Sequence, residues 1–153
     1  MEITIRKARV EDLVSINELT DAMHRDLASL YRLELPAKEI EEEHFDEDEL
    51  DSVYVAEIKG AVVAYMSFCR GEDEWTGRHY GLEHIVVRED HRKSGIATRL
   101  FEVLRERAIC ESVNITTGTL TRNEPALRLY EKLGFKPLTV GLLLDLQKRI
   151  PDR

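Results

Sequence analysis

Two apolar, β-branched runs, Ser52–Ile58 and Ala61–Cys69, are separated only by Lys59-Gly60. Such a pair between two such runs reads as a hairpin with a tight turn. A lone hairpin is not stable in water, so the rest of the chain must extend it into a sheet. Glu2–Ala8 alternates apolar and polar residues, as a half-buried strand does. From Val10 the spacing turns helical, through Leu13, Ile16, Leu19, Met23, Leu27 and Leu30, and predicts a helix ending before Pro36. A short second helix is expected near Ala37–Phe45. After a polar loop, Gly71–Gly77, come a strand, Tyr80–Val87, and a helix, Gly95–Ile109, with Ile96, Leu100, Val103 and Leu104 on one face. Ser112–Thr119 is a β-branched strand. Asn123–Leu133 is a helix with clear ends: Asn123 as N-cap, Pro125 in the first turn and Gly134 as the stop. Two short strands, near Phe135–Val140 and Leu142–Leu146, should close the chain.

An early hairpin followed by strand, helix, strand predicts an α/β (α+β) fold with a mixed sheet covered by helices. At 153 residues, one domain spanning 1–153 is the default. The 22 basic and 30 acidic side chains leave a net charge of −8, which argues against a nucleic-acid partner and an anionic membrane surface. No apolar run approaches a membrane span, and Met-Glu-Ile-Thr-Ile does not read as a signal peptide. With only Cys69 and Cys110, no disulfide framework is implied, and a cytoplasmic location is the simplest expectation. Both cysteines read as small apolar fillers. His24, His44, His79, His84 and His91 lack metal-ligand spacing, so no metal is expected. The acidic stretch Glu39–Asp51 reads as a solvated face or as a rim that attracts a cation. Trp75 either stacks on a ligand or packs at the domain edge.

The most informative stretch is Leu82-Glu83-His84-Ile85-Val86-Val87, followed by a polar loop and His91-Arg92-Lys93-Ser94-Gly95-Ile96-Ala97-Thr98. A strand runs through that loop into the start of a helix. The first N–H groups of a helix have no internal partner, and the helix dipole adds positive charge there. Gly95 and Ala97 leave the backbone open, and Arg92 and Lys93 add charge, so the segment suits a diphosphate. A tight turn with close packing would use the same residues. A P-loop is excluded because Ile96 follows Gly95, and a Rossmann fingerprint lacks its third glycine.

Arg92-x-x-Gly95-x-Ala97 after an apolar strand resembles motif A of the GNAT superfamily of N-acetyltransferases. Asn123-x-x-Ala126-x-x-x-Tyr130-x-x-x-Gly134-Phe135 resembles its motif B, about 28 residues further on. Ser94 replaces a frequent glycine, and Arg88-Glu89 replace a frequent proline-containing turn. The resemblance implies a mixed, mostly antiparallel twisted sheet of about seven strands, with helices on both faces and a splayed parallel pair. It implies acetyl-coenzyme A as cosubstrate and a primary amine, on a small molecule or a protein, as acceptor. The coenzyme diphosphate maps onto Arg92, Lys93, Gly95, Ile96, Ala97 and Thr98, with Asn123 as a further cofactor contact. The pantetheine arm maps onto Ile85, Val86 and Val87, in a slot between Glu83–Val87 and Ser112–Thr119. Tyr130 matches the general acid that protonates the leaving thiolate, and it contacts the cofactor; a core aromatic would sit there equally well. Glu83 is the candidate base, and strand alternation sets it with Ile85 and Val87, with His84 on the opposite face unless a bulge intervenes. Oligomeric state stays open, with homodimers frequent in the family. Two rival readings remain: a coenzyme A sensor of the same fold without transfer, and a scaffold whose acidic surface holds a basic partner.

Overall fold

Lys59 and Gly60 turn the chain with positive φ at both, 50° and 81°, the twist that a two-residue hairpin turn needs. They join β2 (Val53–Ile58) to β3 (Ala61–Asp73). The computed structural model describes residues 2–31, 44–144 and 146. Among them β1 (Thr4–Lys7), β4 (Gly77–Val87) and β5 (Asn114–Thr117) complete a sheet in the order β1-β2-β3-β4-β5. All pairs are antiparallel except β4–β5, which is parallel.

Helices cover both faces. α1 (Leu13–Tyr31) lays Ile16 and Leu19 against Val53, Val55, Tyr65 and Val86. α2 (Ile96–Glu111) and α3 (Glu124–Leu133) cover the other face. There Ile96, Leu100, Phe101, Leu104 and Leu133 meet Ala56, Met66, Phe68, Tyr80 and Leu82. Each fully buried aliphatic side chain contributes about 1.5–3 kcal/mol, so the sheet is held mainly by these two layers. Arg6 of β1 clasps Asp12 through both terminal nitrogens, at 2.7 and 3.0 Å, and its Nη2 also reaches Glu57 of β2 at 2.8 Å. This ties the first strand to the turn that starts α1.

Several expectations shift. The Gly71–Gly77 loop shrinks to Glu74-Trp75-Thr76, because β3 continues to Asp73 and β4 begins at Gly77. The Asp73 carboxylate accepts the Trp75 and Thr76 N–H groups at 2.8 and 2.7 Å and so stiffens the turn. Most of the expected helix near Ala37–Phe45 lies outside the described residues, as do residues 39–43 of the acidic stretch. His44 and Phe45 are irregular, and Asp46 caps a 3-10 turn over Glu47–Ser52. Cys69 and Cys110 are exposed rather than buried fillers. The sheet has five described strands rather than about seven, because the two closing strands do not form. Phe135 packs on Phe101 and Tyr130. Beyond it, residues 136–144 run without a ladder partner and leave Leu138, Val140, Leu142, Leu143 and Leu144 exposed. A strand needs a neighbouring edge to satisfy its N–H and C=O groups, and the described chain brings none to this segment.

Candidate active site

The parallel pair β4–β5 splits. β5 is in register with β4 only from His79↔Asn114 to Leu82↔Thr117. The Thr117 hydroxyl donates to the Leu82 carbonyl at 3.0 Å and closes the last rung. From Glu83 onward the β5-side edge of β4 has no strand partner. Arg88 N–H donates to the Val63 carbonyl at 2.8 Å, on the β3 side. Strand alternation therefore turns the N–H and C=O groups of Val87 and Ile85 into the split. Arg92 Nε occupies one of these, the Val87 carbonyl, at 3.1 Å.

A cleft of about 1150 Å³ fills the split. All the site residues singled out in the sequence line it: Glu83, Ile85, Val86 and Val87 from β4, Arg92, Lys93, Gly95, Ile96, Ala97 and Thr98 from the loop and the start of α2, and Asn123 and Tyr130 from α3. Strands rise about 3.3 Å per residue, so Glu83 and the loop stand on the order of 15–20 Å apart along the cleft.

The loop end is built for an anion. Gly95 sits at φ 81° as the N-cap of α2, and a Cβ placed on it would meet no atom within 4 Å. That empty space lies beside the first N–H groups of α2, which helix geometry leaves without carbonyl partners. Lys93 also has positive φ, 60°. Arg92 reaches Asp26 of α1 at 3.3 Å as well as the Val87 carbonyl, so its guanidinium is held across the cleft. The shape, the donors and the charge fit a diphosphate-bearing cosubstrate.

At the apex of the split, the Tyr130 phenol is hydrogen-bonded with the Thr117 side chain, and burial pushes its pKa up. The phenol therefore keeps its proton throughout the neutral range. Tyr130 lies under the core as well as in the cleft, packed on Phe135 with ring centroids 5.5 Å apart, so both readings of this residue hold. Asn123 caps α3, its side chain accepting the Ala126 N–H at 3.4 Å, and also lines the cleft.

The other end differs from the alternation expected for β4. Ser67 pairs with His84 and Phe68 with Leu82, so Glu83 is an extra residue, a β-bulge. The bulge leaves Leu82, Ile85 and Val87 on the α2 face and brings His84 and Val86 to the α1 face. Glu83 is exposed and hydrogen-bonds the Cys69 thiol, whose pKa is raised chiefly by burial, with Glu83 second. His84 joins it in the cleft with Met23, His24 and Leu27 of α1. Sequence reasoning missed the α1 residues because their helical spacing carries no ligand signal. Trp75, at the exposed tip of the β3–β4 turn, is not part of the cleft. Among the described residues no cluster of three or more His, Cys, Asp or Glu could hold a metal, and no helix is long and apolar enough to cross a membrane.

Comparison with known proteins agrees with this geometry. The chain is 29% identical over 150 residues to thialysine N-epsilon-acetyltransferase of Bos taurus, covering 90% of this chain and 86% of that one. Among solved structures, the BH1408 protein of Bacillus halodurans superposes with a TM-score of 0.78 at 18% identity, over 94% of this chain and 99% of its own. Aminoglycoside N-acetyltransferase AAC(6')-Iy, solved with coenzyme A, gives a TM-score of 0.69 at 15% identity, over 96% of each chain. The model of the acetyltransferase (GNAT) family matches residues 16–135, which run from α1 through the split sheet, the anion loop and Tyr130; the chain belongs to this family of acetyl-CoA-dependent N-acetyltransferases.

Proposed function

We propose that the protein moves the acetyl group of acetyl-coenzyme A to a primary amine by direct attack, with both substrates bound together in the cleft. The observation that carries this reading is the split of β4 from β5 at Leu82↔Thr117, with an open amide cradle at one end and Tyr130 at its apex. Bound acetyl-coenzyme A supplies an activated acetyl thioester. Gly95 and the opening turn of α2 hold the diphosphate with backbone N–H groups, and Arg92 and Lys93 neutralise it. The inward-facing N–H and C=O groups of Ile85 and Val87 pair with the amide-bearing arm as a further strand would. A β4 N–H near the bulge stabilises the oxyanion that develops on the carbonyl. Tyr130 donates its proton towards the departing sulfur. The Glu83 carboxylate draws the acceptor's ammonium to the reacting end.

The thialysine enzyme supports an alkylamine acceptor, since its name gives an ε-amine as the group acetylated. A homodimer forms part of the reading: the exposed Leu138–Leu144 segment is the apolar face a second copy would cover. Sedimentation or light scattering checks it, and a monomer at micromolar concentration would remove it.

The test is release of free thiol from acetyl-coenzyme A against a panel of alkylamines, amino acids, aminoglycosides and peptide N-termini. Amine-dependent thiol release with matching acetylated product supports the reading. Coenzyme A binding with no release by any amine would favour a sensor instead.

A further inference from the structure

His84 is held by a buried chain of hydroxyls whose hydrogen count leaves one arrangement. The Thr20 hydroxyl, fully buried in α1, donates to the Ile16 carbonyl at 2.9 Å. That uses its only proton. The Tyr65 hydroxyl lies 2.7 Å from the same oxygen, so the Tyr65 proton must point at Thr20. Tyr65 is then left with lone pairs alone towards His84, whose Nδ1 is 3.3 Å away. Nδ1 must donate, and the neutral ring carries its lone pair on Nε2. Tyr65 is fully buried beneath the ring. Nε2 lies on the side of the ring away from it, and His84 lines the cleft beside Glu83.

We propose that His84, locked as its Nδ1–H form by Tyr65 and Thr20, is the group that takes the proton from the acceptor's ammonium. This rests on the acetyl-transfer reading of the cleft. The N–H bond of the ammonium breaks, its electron pair stays on nitrogen, and the proton binds Nε2 to give an imidazolium that later releases it to water. The amine then carries the lone pair that attacks the thioester. Glu83 attracts the cation, and His84 removes the proton. An imidazole matches neutral pH better than a carboxylate does, because base efficiency peaks when the base's pKa is near the working pH. Tyr65 and Thr20 are positioning residues, fixing tautomer and ring angle as a carboxylate does in a hydrolase triad. The bulge at Glu83 makes this possible, since without it His84 would face α2.

The charged and titratable groups around His84 are His24 of α1, with ring centroids 6.5 Å apart, and Asp26 of α1, which binds Arg92. Tyr65 of β3 and Glu83 of β4 are the others, with the His44–Asp21 pair next to Phe45, whose ring lies 6.0 Å from His84.

Two measurements test the proposal. The first is the long-range ¹⁵N–¹H spectrum of the histidine rings in the protein without substrate, at pH 8, with His84 assigned by loss of its signals in His84→Gln. A protonated Nδ1 and a bare Nε2 are expected, with tautomer mixing in Tyr65→Phe. A protonated Nε2 in the wild type overturns the proposal whatever the acceptor is. The second is the pH profile of kcat/KM with an active amine. An acid limb in the imidazole range is expected, and His84→Gln should remove it and lower kcat at least about 100-fold. Glu83→Gln should raise KM and keep the limb. A His84→Gln enzyme within threefold of wild type overturns the proposal while wild-type turnover leaves acetyl transfer standing. Thiol release by no amine in the wild type would instead sink the functional reading.

Discussion

Arg92 Nε donates to the carbonyl of Val87, five residues before it, at 3.1 Å. The cation of the anion loop is thereby fixed to the end of the strand whose free edge opens the cleft. Its Nη2 also meets Asp26 of α1. A diphosphate in the cradle would compete with Asp26 for that nitrogen.

Arg92→Ala should therefore weaken coenzyme A binding about 10- to 100-fold, the range of one charge-assisted phosphate contact. Isothermal titration checks this. Asp26→Asn should leave affinity unchanged or slightly tighter, because it frees the guanidinium.

Gly95→Ala tests the cradle from the backbone side. φ at Gly95 is 81°, and holding an L-residue there costs about 1–2 kcal/mol. The Cβ itself meets no neighbouring atom within 4 Å. The melting temperature should fall by roughly 3–6 °C. Coenzyme A affinity should fall more than tenfold, because the methyl group enters the space assigned to phosphate.

Tyr130→Phe separates chemistry from binding. The variant loses the hydroxyl and its Thr117 hydrogen bond, about 1 kcal/mol of stability, but keeps the packing on Phe135. A fall in kcat of at least about 100-fold with KM for acetyl-coenzyme A within threefold is expected. Burial raises the phenol pKa, so the wild-type rate should not lose its acid on the basic side below about pH 10.

The Arg6–Asp12–Glu57 cluster sets the acid limit of the fold. Arg6 hydrogen-bonds Asp12 and holds its carboxyl below the ordinary carboxylate value. A depressed carboxylate stabilises the fold above its unfolded pKa, about 3.9, and that stability is lost as pH falls through the lower folded value. Asp12→Asn should cost about 3 kcal/mol at neutral pH, since it leaves Arg6 part-buried with one partner fewer. Its melting temperature should change less than that of wild type between pH 5 and about pH 2. Thermal melts across that window check both.

The parts of the site legible in the sequence are those whose signals are local. Gly95, Asn123, Pro125 and Gly134 mark helix ends by their own backbone chemistry, and each sits where that chemistry places it. The family resemblance drew the cleft's cofactor side from the same residues. The bulge at Glu83 was not legible as a position, because it depends on register against β3, set by Ser67 and Phe68. The His84–Tyr65–Thr20 chain links residues 19 and 45 apart in sequence, and no spacing rule connects them. Phe135–Leu146 carries the period of a strand, yet Leu138–Leu144 lies unpaired, because strand period fixes a face and not a partner.

The amide spectrum of ¹⁵N-labelled protein titrated with coenzyme A tests the central claim most directly. The amides of Gly95, Ile96, Ala97 and Thr98 are expected to shift most, followed by those of Ile85 and Val87. Saturable binding that moves amides elsewhere and leaves the Gly95 turn still, or no shift at millimolar coenzyme A, would contradict the account.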